Sequence, residues 1–326
     1  MTKKKTISEA IEQFLESLSL SRSENTARTY GNGMQVFQEV LVKKSLDPEK
    51  TPLVALPEDA IIWMMSDMKN LAATTERLYL TAVTQFFEYL MAEQLLDVNL
   101  ARIRLLIKQR ARKAAQRLPQ FPKDSIDQVL EYAFRLTQKP SDDDGERLRN
   151  LRDQAFLITL ADTGLRVHEA CNLRRGDIDW NEAKALVIGK GNRQAVVRFS
   201  ERSLRALKTY LAARAETDGA TGRPLSALPI FARHDKGAGK RIEAISTATG
   251  RNIVNQRVEE ALGPEAVGTI TPHSFRHYFV TTVLQVSGNL KMAQELARHQ
   301  NIAVTTRYAH LSNDELDRGY YEIFDE

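Results

Sequence analysis

The stretch TPHSFRHYFVTTVL, residues 271–284, has a proline at its second position and places His273, Arg276 and His277 within one helical turn, then continues as the apolar face of a helix. Backbone N–H groups at a helix N-terminus point outward unbonded, and the helix dipole favours negative charge there. His273 and Arg276 reinforce that preference. The pattern is that of a packed helix with an anion-binding end.

Outward from this helix, the 326-residue chain has the length of two domains and enough apolar content, 42%, to bury a core. No stretch approaches the ~18 consecutive apolar residues of a membrane span. The start, MTKKKTISEA, has no apolar segment of the kind a secretory signal needs, and Cys171 is the single cysteine, so no internal disulfide forms. A reducing, cytoplasmic compartment is expected. The net charge is only +4, from 46 basic and 42 acidic residues, but it is unevenly spread. Between Asn99 and Lys123 there is no acid, while Arg102, Arg104, Lys108, Arg110, Arg112, Lys113, Arg117 and Lys123 supply eight positive charges, which leaves the remainder net −4.

Apolar residues recur at helical spacing in residues 6–18, from SENTARTY onward, after Pro57, and through TERLYLTAVTQFFEYLMAEQLL, with Thr6 or Ser8 and then Ser23 as caps. Residues 1–98 are therefore expected to form an all-helical domain of about four helices. The basic stretch 99–121, ending in PQFPKD, is expected to be an interdomain linker. Its crowded positive charge favours contact with a polyanion such as the DNA backbone. In 122–326, DSIDQVLEYAFRL and ERLRNLRDQAFLITLADTG are amphipathic helices, the second closed by Gly164 as a left-handed cap. The period changes in DIDWNEAKALVIGKGNRQAVVRFS, where Ile178, Trp180, Ala185–Ile188 and Val196–Phe199 flank a GKGN turn and indicate a small antiparallel sheet. Helices resume at 201–215, 246–262, 272–286 and 289–298, with short ones around 303–309 and 313–324. The expected fold class is mainly α with a small antiparallel β-sheet.

No nucleotide-binding P-loop is present, since GKGN and GAGKR lack its spacing, and no G-x-S-x-G elbow occurs. His273 and His277 have the spacing of a zinc pair, but Ser274 stands where a zinc protease helix has glutamate, so no metal and no cofactor is expected. What remains is Arg166 after ADTGL, Lys190 in the hairpin turn, His273 and Arg276, His299, and Tyr308 in TTRYAH. These share a logic. A phosphodiester under attack gathers charge on its non-bridging oxygens, which guanidinium forks match in geometry. A tyrosine hydroxyl can attack if a histidine takes its proton, and a lysine between two glycines can protonate the departing 5′ oxygen.

The segments TGLRVHEACNL, VIGKGNRQAVVRFS, TPHSFRHYFVTTVL and LARHQNIAVTTRYAH, in that order across residues 163–310, resemble the tyrosine recombinases, or phage-type integrases, which include the Xer proteins, lambda integrase and Cre. The resemblance implies an N-terminal helical, SAM-like core-binding domain joined to an α+β catalytic domain, clamping double-stranded DNA. It implies that Arg166 and Arg276 bind the scissile phosphate, that Lys190 is the general acid, and that His273 handles a proton. His299 becomes a further phosphate donor, Tyr308 the nucleophile that forms a 3′-phosphotyrosyl bond, and Glu169 a residue orienting an active-site side chain. His277 is expected just behind this site. The resemblance further implies a homotetramer on DNA in which the tail 311–326, with Leu311, Leu316, Tyr320, Ile323 and Phe324, docks on a neighbouring subunit. One departure stands out: where the family usually has glycine before the last histidine, the chain reads Leu296-Ala297-Arg298-His299. The residue types also leave open a type IB topoisomerase-like activity or a non-catalytic DNA-binding factor.

Overall fold

A computed structural model describes residues 5–112, 123–139, 143–189, 194–235, 237 and 241–306. Lys113, Arg117, Lys190, Tyr308 and the tail 311–326 lie outside the described residues. The chain divides into two compact units, Met1–Arg117 and Leu118–Glu326. Each has its own apolar core. Among the described residues no helix is long and apolar enough to cross a membrane.

The first unit is all helical: α1 (Ile7–Ser21), α2 (Glu24–Lys43), α3 (Ala60–Asp67), α4 (Ala73–Ala92) and α5 (Leu100–Arg110). Thr6 caps α1 by accepting from the Glu9 N–H, while the Glu9 carboxylate accepts from the Thr6 N–H. Two donors that a helix start leaves unbonded are thus satisfied together. Ser23 caps α2 by accepting from the Thr26 N–H, as expected. Phe14, Phe37, Phe86 and Phe87 meet at tilted or edge-on angles with centroids 5.5 to 6.4 Å apart. Gly33, which looks like a weakness in α2, lets that helix approach α4: a Cβ there would stand 3.2 Å from the Ala82 Cβ.

Helix α5 corrects the expectation of a linker beginning at residue 99. Asn99 caps it, and Ile103 is fully buried in the core of the first unit. Three of the positive charges are compensated. Arg102 binds Glu58 and Asp59 at 2.9 and 2.6 Å, Arg104 binds Glu88 at 2.6 Å, and Arg112 binds the buried Glu76 and the Leu71 carbonyl. All four acids lie outside the acid-free stretch. Local sequence shows a run of one sign, whereas the fold brings opposite charges from 16 to 44 residues away.

The second unit runs through α6 (Lys123–Gln138), α7 (Asp144–Thr163), α8 (Val167–Cys171), β1 (Ile178–Asp179), β2 (Lys184–Ile188), β3 (Gln194–Arg198), α9 (Glu201–Ala213), α10 (Ala215–Gly219), α11 (Thr247–Leu262), α12 (Pro272–Ser287), α13 (Leu290–Ala297) and α14 (Ile302–Thr305). The sheet is antiparallel in the order β1-β2-β3, with Ala185 opposite Val197 and Val187 opposite Ala195. Ala185, Val187 and Val197 face the core; Trp180 lies in the turn after β1, packed against that core. Helix α7 is buried on all sides from Asn150 to Ala161, so it shows no single apolar stripe. It packs against α6, α9 and α12. The charged residues it buries are paired: the Asp153 carboxylate accepts from Arg152 at 2.8 Å and from Arg257 of α11 at 2.7 Å.

Gly164 ends α7 at φ 58° and ψ 23°, the left-handed cap expected from sequence. A Cβ there would stand 2.4 Å from the Phe279 ring of α12. We expect Gly164→Ala to lose at least about 2 kcal/mol of stability, from the left-handed backbone and the overpacking together. Urea denaturation of the two proteins checks this.

Candidate active site

Five residues after the last buried stretch of α7, the chain has turned and begun α8, with Arg166 at its N-terminus. Glu169, in the first turn of α8, holds that arginine twice. Its Oε2 accepts from the Arg166 backbone N–H and its Oε1 from Arg166 Nη1, both at 2.9 Å. The Glu169 side chain is 1% exposed while that of Arg166 is 41% exposed, so the acid is a buried anchor and the guanidinium faces outward. Burial alone would raise the Glu169 carboxyl; the charge of Arg298 and the hydrogen bonds from Arg166 outweigh it and hold the group below its ordinary value.

Arg276 comes from the opposite direction, one turn into α12, and is buried. Its Nη1 donates to the Gly164 carbonyl and its Nη2 to the Ala297 carbonyl. These carbonyls close α7 and α13, where the helix dipoles are negative, so two helix ends aim a single guanidinium. Thr271 caps α12 in a reciprocal arrangement with Ser274, which leaves His273 exposed on the first turn. The His273 and His277 rings meet edge to face with centroids 4.2 Å apart.

His299 follows α13. Its backbone N–H donates to the Gln294 carbonyl and its Nδ1 lies 2.9 Å from Thr305 Oγ1, which sets the ring plane. All three imidazoles are held toward the neutral form. Loss of hydration, then the Arg276 and Arg166 charges, lower His273. Burial, then His273 and Arg276, push His277 down to about 4. Burial and the same two arginines push His299 down to about 4.

Arg166, Glu169, His273, Arg276, Arg298 and His299 line one cleft of about 470 Å³. Gly189 and Gln194, which flank residues 190–193, line it too, as does Val304, four residues before Tyr308. A larger cleft of about 570 Å³ between α6, α7 and α9 holds none of these groups, so chemistry rather than size singles out the site. Among the described residues no three His, Cys, Asp or Glu side chains converge as metal ligands. The arrangement suits a phosphodiester: cations at fixed angles, neutral imidazoles, and a buried acid that orients without approaching the anion. Of the predicted site residues, the structure brings together Arg166, Glu169, His273, Arg276 and His299, with His277 against His273. Lys190 and Tyr308 lie outside the described residues. The sequence reading missed Arg298 as a cleft residue and Thr305 as the partner of His299. The only signal for Arg298 was an arginine at a glycine position.

Residues 134–315 match the phage integrase family, and residues 11–94 match the phage integrase N-terminal SAM-like domain. The chain is 30% identical over 255 residues to tyrosine recombinase XerC of Actinobacillus pleuropneumoniae, covering 78% of this chain and 74% of that protein. With the XerC of Thermodesulfovibrio yellowstonii it shares 29% identity over 92% of this chain and 91% of the relative. The fold is similar to that of the XerH site-specific recombinase bound to palindromic difH substrate, with a TM-score of 0.68 at 18% identity over 97% of this chain and 84% of that one. It is also similar to a lambda integrase dimer bound to a COC′ core site, with a TM-score of 0.62 at 17% identity over 94% and 96% of the two chains. The family match decides among the three activities that the residue types left open. The chain belongs to the phage integrase family, the tyrosine recombinases, and is a site-specific DNA recombinase that breaks and rejoins strands through a phosphotyrosyl intermediate.

Proposed function

We propose that the cleft around Arg166 and Arg276 is where this recombinase holds the scissile phosphate, and that Tyr308 attacks it. The observation that carries this reading is the convergence on one cleft of Arg166, His273, Arg276 and His299, brought from three separate places in the chain. The two guanidinium groups bind the non-bridging oxygens and strengthen their hold as charge grows on them. His299 adds a donor to the same oxygens. His273, neutral near pH 7 because its surroundings disfavour the imidazolium, takes the proton from Tyr308, whose ordinary pKa is about 10. The tyrosine oxygen bonds to phosphorus, the bond to the 5′ oxygen breaks, and Lys190 gives that oxygen its proton. Rejoining runs the steps in reverse, so the phosphotyrosyl bond conserves the energy of the broken strand. The position of Gly189 and Gln194 on the cleft supports delivery of Lys190 to it.

Double-stranded DNA is the partner. Its backbone runs past Lys108 and Arg110, exposed at the end of α5 with no ion pair among the described residues, and past Lys113 and Arg117 beyond them. Arg102, Arg104 and Arg112, already paired with acids, add less. The active assembly is a homotetramer in the cytoplasm, with the tail 311–326 docked on a neighbouring subunit. The apolar pattern of that tail supports this, as does the lambda integrase neighbour, which is a dimer on its core site.

Tyr308→Phe should abolish covalent adducts on a nicked suicide duplex while leaving DNA binding intact, as read on denaturing and native gels. Lys190→Ala should slow cleavage of ordinary DNA by about 100-fold or more, the usual range for general acid catalysis, and a 5′-thio leaving group, which needs no proton, should restore the rate. An equal defect on both substrates would count against the acid role. Charge reversal of Lys108 and Arg110 together should reduce the slope of log affinity against log salt by about two, since each phosphate contact contributes about 0.9. The same reversal at Arg104 should change it less.

A further inference from the structure

Arg298 closes α13 at φ 57° and ψ 42°. Glycine adopts this left-handed conformation freely, whereas a residue with a Cβ is strained there. An arginine persists in such a position only where its side chain gains something the backbone loses. Its contacts are specific. Arg298 Nη2 lies 3.2 Å from the Glu169 carboxylate and donates to the Gly164 carbonyl at 3.2 Å. Each partner is shared with a different arginine of the cleft: Glu169 with Arg166, and the Gly164 carbonyl with Arg276.

The arrangement is costly as packing alone. The Arg298 side chain is 11% exposed, and its Nε is buried without a hydrogen-bond partner among the described residues. Burying a cation with a donor unmet opposes folding. So does placing two guanidinium groups on one carboxylate with a third, Arg276, on the neighbouring Gly164 carbonyl. With Arg298 present, Glu169 no longer neutralises a single arginine; the cluster of Arg166, Arg276, Arg298 and Glu169 keeps two positive charges in excess. That excess faces the cleft where negative charge would develop.

We propose that Arg298 is a positioning residue of the phosphate cleft: by bridging Glu169 and the Gly164 carbonyl it locks Arg166 and Arg276 in register, and its charge raises the attraction for the transition state. This rests on the reading of the cleft as the scissile-phosphate site. Arg298 need not touch DNA to act in this way. Its effect falls on cleavage more than on binding, because the DNA surface extends far beyond this cleft.

The test compares single-turnover cleavage of a nicked suicide duplex with equilibrium binding of the same duplex for wild type, Arg298→Gln, Arg298→Lys and Arg298→Gly, with thermal midpoints as the folding control. Glutamine and lysine share the backbone strain, so they differ mainly in charge, while glycine removes the strain. The expected result is a cleavage rate about 10- to 100-fold lower for R298Q, as is usual when the group that orients a reactive residue is lost, with unchanged affinity. R298K should recover most of that rate, since an ammonium can reach both Glu169 and the Gly164 carbonyl. R298G should cleave slowly despite its relaxed backbone. With a neutral methylphosphonate at the cleavage position the gap between R298Q and wild type should narrow. R298Q or R298G cleaving as fast as wild type, or a rate loss matched by an equal loss of affinity, would overturn the proposal. A wild-type protein that forms no adduct would instead overturn the cleavage reading, and this one with it.

Discussion

The carbonyl of Gly164 is the point on which the site is built. It closes a helix buried on all sides and accepts from Arg276 of α12 and Arg298, the residue that ends α13. That sharing depends on the left-handed turn, which sends the chain from α7 into α8 within three residues and so places Arg166 and Glu169 beside the same carbonyl. Phe279 packs against Gly164 closely enough to exclude a Cβ, so α12 can approach only if the position is glycine. Backbone conformation, helix packing and the aim of two guanidinium groups are thus one constraint. A change in any of them moves the others.

Around that point the electrostatics are arranged in layers. The buried Glu169 takes two arginines and stays ionised because their charges outweigh its desolvation. The imidazoles of His273, His277 and His299 are held toward the neutral form by loss of hydration and by the charge of Arg276, with Arg166 acting on His273 and His299 as well. A bound phosphodiester would relieve the repulsion among the arginines and ease protonation of the histidines. The cluster therefore carries a density of positive charge that a bound anion would relieve.

The first unit uses positive charge differently. Its basic helix α5 is stapled to the bundle by Ile103 and by ion pairs with acids of α4 and of the segment before α3. These pairs set where α5 lies, and leave Lys108 and Arg110 exposed. The two groups of cations have separate tasks, one holding the domain together and one facing solvent.

Much of this was legible in the amino-acid sequence. Thr6, Ser23 and Gly164 mark helix ends, the alternation around GKGN marks the paired strands, and Arg166, Glu169, His273, Arg276 and His299, singled out by type and order, line one cleft. Caps, period and turns act over a few residues, so a local reading finds them. The run of basic residues after Asn99 misled because its partners, Glu58, Asp59, Glu76 and Glu88, are remote in the chain. Arg298 was legible only as an arginine at a glycine position; that its guanidinium joins Glu169 and the Gly164 carbonyl was decided by packing α13 against α12. Residue types and their order follow from the chain alone, whereas which charges meet depends on distances that only the packed helices determine, because Coulomb attraction acts through space and not along the backbone.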